Sequence, residues 1–297
     1  MKPTAGQIYE DIFIEIFKAA KVPDIQLLRK FIAKSLSSPV RRFSEFIAQV
    51  DADIGSGGFP FAAQNAIEAL CEDTSSLGEG IIPSSGPLIL ACNHPGTYDG
   101  FVVISRLPRT DFKMIVSGIP FFRNLPNASR HLIFTTQNTA DRMDAIRKSV
   151  SHLEDGGALI IFPSGRIDPD PAVFADADKH LSRWSRSIEV FLKKVPSTKT
   201  VLGIVSGVLS RDYTKRLFPK VFKNDHERRR IMEFMQVIDQ MARGKPVELH
   251  PKVSFSDPVL WEDIISNNNY PLIHSLQTSA EQLLSSHKTI FYSSQIG

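Results

Sequence analysis

Residues Leu88-Ile89-Leu90-Ala91-Cys92-Asn93-His94-Pro95-Gly96-Thr97-Tyr98-Asp99-Gly100 run from an unbroken apolar stretch straight into a polar turn. A short apolar run without alternation fits a strand covered on both faces, as in a parallel sheet between helix layers. In the turn, Pro95 and Gly96 keep the chain tight, and Asp99 can fold back to hydrogen-bond the His94 imidazole. Such a bond fixes the ring's tautomer and stabilises its cation, as a general base working near neutral pH requires. Open α/β sheets place their active sites at strand ends of this kind.

Working outward, Pro87–Cys92, Lys113–Val116, His131–Phe134, Ala158–Phe162, Val201–Val205 and Lys252–Phe255 read as short strands. Helical stretches such as Asp141–Glu154 and His180–Lys194 lie between them. This alternation predicts an α/β domain with a mostly parallel central sheet flanked by helices. Ahead of it, Ile8, Ile12, Ile16 and Phe17 recur on one face, and Ile25, Leu28, Phe31 and Ile32 continue the helical pattern. Pro39 and Pro60 sit where new helices can begin, and Gly55-Ser56-Gly57-Gly58 reads as a flexible turn between them. That glycine cluster follows no strand and lacks the Lys of a P-loop, so a linker is the better reading. Residues 1–75 are thus expected to form a small N-terminal helical module and 76–297 the α/β domain.

The chain has 297 residues, 23% charged and 42% hydrophobic, a composition suited to a packed globular protein. Lys plus Arg number 35 against 32 Asp plus Glu, a balance too small to call for a nucleic-acid partner. The two cysteines, Cys71 and Cys92, offer no disulfide framework and no zinc spacing, which favours a reducing, cytoplasmic compartment and no metal. No basic region followed by an apolar run opens the chain, and no apolar stretch approaches the roughly 20 residues of a membrane-spanning helix. Any membrane contact is expected to be peripheral.

The segment around His94 resembles the N-H-x4-D block of the phospholipid and glycerol acyltransferase superfamily, which includes glycerol-3-phosphate and lysophosphatidic acid acyltransferases. A second block has the right order and separation: Leu159-Ile160-Ile161-Phe162-Pro163-Ser164-Gly165-Arg166 resembles the family's strand ending in F-P-E-G-T-R. The resemblance runs from Pro87 to Pro258, where Phe255-Ser256-Asp257-Pro258 is similar to a late strand-turn. It implies transfer of an acyl group to a hydroxyl from a thioester of coenzyme A or acyl carrier protein, which acts as co-substrate, with no other cofactor. His94 would then be the general base and Asp99 its partner. Asn93, Gly96, Thr97, Ser164, Gly165 and Arg166 would line the substrate site. Arg166 would offer its donor fork to a phosphate on a glycerol-phosphate or lipid acceptor, with Gly165 allowing close approach. A surface ion pair with Asp168 or Asp170 is the plainer reading of Arg166.

The chain departs from the pattern in several places. Ser164 stands where the family has Glu, and no Thr separates Gly165 from Arg166. In the block Leu132-Ile133-Phe134-Thr135-Thr136-Gln137 the family's Arg is replaced by Gln137 or displaced to Arg142. Val201-Leu202-Gly203-Ile204-Val205-Ser206-Gly207 lacks the expected Pro. Loss of a carboxylate and a phosphate-binding cation together points to an acceptor other than glycerol 3-phosphate.

Lys215 to Lys223 and Arg228-Arg229-Arg230 interleave cations with aromatics, which fits an anionic membrane surface, the phosphates of coenzyme A, an acidic acyl carrier protein, or simply a solvated face. Cys92 lies close to His94 in sequence but within an apolar run, so a core residue is preferred over a nucleophile. The competing function is a catalytically silent lipid- or thioester-binding protein of the same fold. A third is thioester hydrolysis, with water in place of the alcohol.

Overall fold

The protein is described by a computed structural model over residues 5–117, 120–244, 247–266 and 271–293. Ile8, Ile12, Phe13 and Ile16 line the buried face of helix α1 (Ala5–Ala19). Helix α2 (Gln26–Gly57) then runs unbroken through Pro39, so the new helix expected at that proline does not form. An interior proline forfeits a backbone bond and costs a helix about 3 kcal/mol. Beyond it, however, Val40, Ser44, Ile47, Val50 and Ile54 keep helical register and are all buried. Packing of that stripe outweighs the proline.

The expected Gly-rich linker is likewise mostly helical. Gly55, Ser56 and Gly57 close α2, and only Gly58, at φ +85°, leaves the helical region. Helix α3 (Phe59–Leu70) starts immediately, with Pro60 in its first turn.

The sheet follows. Its strands are β1 (Ser75–Leu77), β2 (Leu88–Cys92), β3 (Phe112–Ser117), β4 (Leu132–Thr135), β5 (Ala158–Ile161), β6 (Lys199–Ser206), β7 (Lys252–Phe255) and β8 (Val259–Leu260). They lie in the order β1-β7-β6-β2-β5-β3-β4, with β8 beside β6. β2 pairs in parallel with both β5 and β6, while β7 and β8 run antiparallel to β6. The sheet is therefore mostly parallel. Between and after the strands come helices α4 (Asp99–Ile104), α5 (Thr139–Glu154), α6 (Ser187–Lys194), α7 (Arg211–Thr214), α8 (Asp225–Arg243), α9 (Trp261–Ser266) and α10 (Leu272–Tyr292). The helix expected over His180–Lys194 is split, with a 3-10 segment Ala177–Arg183 preceding α6.

The two-residue side-chain period assigns the faces. Leu88, Leu90, Cys92, Ala158, Ile160, Val201 and Val205 face a core completed by α1, α2, α3, α4 and α8. Ile89, Ala91, Leu159, Ile161, Leu202 and Ile204 face the opposite core, completed by α5, α6 and α10. The N-terminal helices thus meet the α/β segment in one continuous core. On the other side, His287 of α10 is fully buried. Its Nε2 is 2.7 Å from Ser206 Oγ and its Nδ1 2.8 Å from Ser254 Oγ, pinning α10 across β6 and β7. Among the described residues, no helix is long and apolar enough to cross a membrane.

Candidate active site

Asn93 is the first residue beyond β2, and its side chain replaces a strand residue's backbone. Its Nδ2 donates to the Val205 carbonyl at 2.8 Å, and its Oδ1 accepts the Val205 N–H at 2.7 Å. Both polar ends are spent on β6, so Asn93 anchors the exit of the central strand. The chain then turns sharply into α4, whose first residue is Asp99. Asp99 Oδ2 lies 2.7 Å from His94 Nδ1 and accepts the Gly96 N–H at 3.1 Å. With a buried carboxylate beside Nδ1, that nitrogen carries the proton and Nε2 is the basic one. The ring stacks on Phe162 at a centroid distance of 4.7 Å, and its side chain is 31% exposed.

Burial pulls the His94 pKa down, but the charge and hydrogen bond of Asp99, with help from Glu233 and Asp168, carry it up to about 9. At neutral pH the resting imidazole is therefore mostly protonated, and the basic form grows as pH rises.

The turn is braced from behind by Asp168 and Asp170, which the sequence reading did not assign to the site, and by Ser164, which it did. Asp168 Oδ2 accepts the His94 N–H at 3.0 Å, and the Asp168 N–H donates to the His94 carbonyl at 2.7 Å. The Ser164 hydroxyl donates to the same Oδ2 at 3.0 Å. Asp170 is buried and accepts the N–H groups of Gly207, Val208, Leu209 and Ala172, tying the loop after β5 to the loop after β6. Neither carboxylate pairs with Arg166.

Glu233 of α8 reaches the other side of the turn. Its Oε2 accepts from Thr97 Oγ1 at 3.1 Å, while its buried Oε1 has no partner. Burial drives its pKa up to about 8, Asp99 and Asp170 adding to the rise against the opposing pull of His94 and Thr97. At pH 7 it is mostly the neutral acid. Gly96 sits in tight quarters: a Cβ there would stand 3.1 Å from both Glu233 Cδ and Val208 Cγ2, which would have to give way.

Gly165 adopts φ +61°, turning the chain outward after β5, and Arg166 is exposed beyond it. Ser164, Arg166 and Asp168 line a cavity of ≈ 270 Å³ together with Arg183, His226 and Arg229. Arg142 and Gln137 are not among its lining residues. Arg123 lies over the Phe134 ring, 4.3 Å from its centroid. Cys92 is fully buried, and burial with Asp99 pushes its thiol pKa far above the usual range, so it is an inert core residue.

The model of the acyltransferase family matches residues 76–251. The chain belongs to the acyltransferase family. The match spans both His94 and Arg166, and the fold of this acyltransferase-family protein is the α/β architecture expected of it. Among solved structures it is similar to the 1-acyl-sn-glycerophosphate (LPA) acyltransferase PlsC from Thermotoga maritima. That similarity has 12% identity and a TM-score of 0.47 over 98% of this chain and 99% of that one. No curated protein sequence matches the chain.

Proposed function

We propose that the protein is an O-acyltransferase of the glycerolipid type. It moves a fatty acyl group from an acyl-CoA or acyl-carrier-protein thioester to a hydroxyl of glycerol 3-phosphate, a lysophospholipid or a related acceptor. The observation that carries this is the 2.7 Å contact between His94 Nδ1 and Asp99 Oδ2 at the end of the central strand of an acyltransferase-family chain.

In the proposed step the acceptor hydroxyl gives its proton to His94 Nε2 while its oxygen attacks the thioester carbonyl. Asp99 stabilises the imidazolium that forms. The C–S bond then breaks, the new ester remains, and His94 returns the proton to the leaving thiolate. No covalent acyl-enzyme is needed. Arg166 at the rim of the cavity is the candidate for holding the acceptor's charged headgroup.

Peripheral docking on an anionic membrane surface fits the same reading. Leu27 and Phe31 of α2 are 81% and 70% exposed, and Leu217 and Val221, just before α8, are 79% and 74% exposed. Large apolar side chains in such positions mark interaction surfaces. The ion pair Lys21–Glu227, at 2.8 Å, joins the segment just before α2 to the start of α8, and the neighbouring sequence holds Lys30, Lys34, Lys215, Lys220 and Lys223. Apolar tips among lysines suit a bilayer interface. Two free, buried cysteines fit a cytoplasmic site for it.

The test mixes purified protein with acyl-CoA and acyl-carrier-protein donors and a panel of acceptors, following thiol release and acylated product. Acceptor-dependent release that vanishes in His94→Ala supports the proposal. Release without any acceptor indicates hydrolysis, and no release from folded protein with any donor leaves the silent binding protein.

A further inference from the structure

Helix α8 carries two buried ionisable side chains one turn apart, Arg229 and Glu233, in a protein whose family motifs lack a cation at Gln137 and a carboxylate at Ser164. Arg229 lies in the run Arg228-Arg229-Arg230, yet it alone is turned inward, 8% exposed. It lines the cavity beside Ser164 and Asp168, the residues that hold the His94 turn. Its buried Nε has no hydrogen-bond partner. A guanidinium out of water with an unused donor is a costly arrangement unless a ligand completes it.

The rest of the cavity has the same sign. Arg166 and Arg183 border it, and among the described residues none of the three guanidiniums forms an ion pair. His180 and His226 also border it, and burial and then the surrounding arginines hold both pKa values down. Asp168 lines the cavity, and Asp176 and Asp225 lie close enough to favour the Arg229 charge. Three guanidiniums facing one lining carboxylate leave a positive excess in a space of ≈ 270 Å³, the size of a headgroup and too small for an acyl chain.

We infer that this cavity is a binding site for a phosphate monoester, held by Arg229 and Arg183 with Arg166 at its rim. Planar guanidinium forks match phosphate oxygens two at a time, and a buried fork gains more from the contact than an exposed one. Arg229 enters from α8, so replacement of the motif cation by Gln137 does not by itself exclude a phosphorylated acceptor. Which phosphate is bound rests on the acyltransferase reading: it is either the acceptor's headgroup or the 3′-phosphate of coenzyme A. That the cavity takes a phosphate does not rest on it.

The experiment is calorimetric titration of the full chain with inorganic phosphate, glycerol 3-phosphate, coenzyme A and dephospho-coenzyme A. Wild type and His94→Ala should bind phosphate alike, which separates this site from the chemistry at His94. Arg229→Gln should weaken binding by about tenfold or more, and Arg183→Gln, on the exposed wall, severalfold. Circular dichroism checks each fold, and Arg183→Gln stands alone if Arg229→Gln does not fold. Weakened glycerol 3-phosphate binding, with coenzyme A and its dephospho form bound equally, assigns the pocket to the acceptor. A preference for coenzyme A over dephospho-coenzyme A that disappears in the variants assigns it to the donor. Folded variants that bind all four ligands as wild type does, or a wild type that binds none, overturn the inference.

Discussion

Asp168 and His94 clasp each other twice, the side chain of Asp168 accepting the His94 N–H at 3.0 Å and its own N–H donating to the His94 carbonyl at 2.7 Å. The loop after β5 thereby sets the height at which the imidazole stands over β2. Asp168→Ala should lower the turnover rate about tenfold and cost roughly 1–2 kcal/mol of stability, because a buried N–H loses its acceptor. Asp168→Asn, which keeps an acceptor oxygen, should retain more of both. Initial rates and thermal melts of the two variants test this, and an Asp168→Ala protein as active as wild type would refute it.

The pH dependence follows from Asp99. With the His94 pKa near 9, kcat/KM should climb from pH 7 towards 9, by about tenfold per unit on the steep part. Asp99→Asn removes the main upward influence, so the limb should move to lower pH while the maximal rate falls by about 10²- to 10⁴-fold. A profile flat from pH 6.5 to 9, or a limb that stays in place in Asp99→Asn, contradicts this account.

His287 should make stability depend on pH in a lower range. Burial, then the charges of Lys252 and Lys288, lower its folded-state pKa from 6.5 to about 4. The unfolded chain therefore binds the proton more readily, so this contribution is present above pH 6.5 and is lost as pH falls from there through 4. The whole effect is on the order of 3 kcal/mol. Denaturant unfolding between pH 7 and 4 should show the loss in wild type and a smaller one in His287→Leu; equal slopes would exclude His287 as the cause.

Cys92 and Gly203 face each other in the sheet register, and a Cβ on Gly203 would stand 2.4 Å from Cys92 Sγ. Gly203→Ala should cost about 1–3 kcal/mol by overpacking. Adding Cys92→Ala should restore much of it, a coupling that a double-mutant cycle reads directly.

For the exposed apolar tips, Phe31→Glu combined with Val221→Glu should abolish co-sedimentation with vesicles rich in anionic phospholipid. Thiol release with a water-soluble acceptor should be unchanged. Undiminished sedimentation would remove these residues from any membrane face.

Much of the fold was legible because the strands of the buried sheet, Leu88–Cys92 and Ala158–Ile161 above all, are uniformly apolar and bounded by turn residues. His94 and Asp99 were legible as a pair because they share one turn. Asp168, Arg229 and Glu233 were not, since each reaches the site from a distant segment. Arg229 in particular sits in a charged run that reads as a docking patch for anions or a solvated face as a whole, and only the rotation of α8 separates it from Arg228 and Arg230. Pro39 misled for a related reason: the local penalty was visible, the tertiary packing that exceeds it was not.

The single core shared by α1, α2, α3 and the sheet bears on how the protein can be dissected. The family match begins at residue 76 and ends at 251, whereas the chain buries one sheet face with helices before that interval and the other partly with α10 after it. A fragment trimmed to the matched interval would also lose β7, and each face of the sheet would lose part of its cover, keeping α4 and α8 on one side and α5 and α6 on the other. The stretch that the family model matches is smaller here than the stretch whose side chains close the two cores.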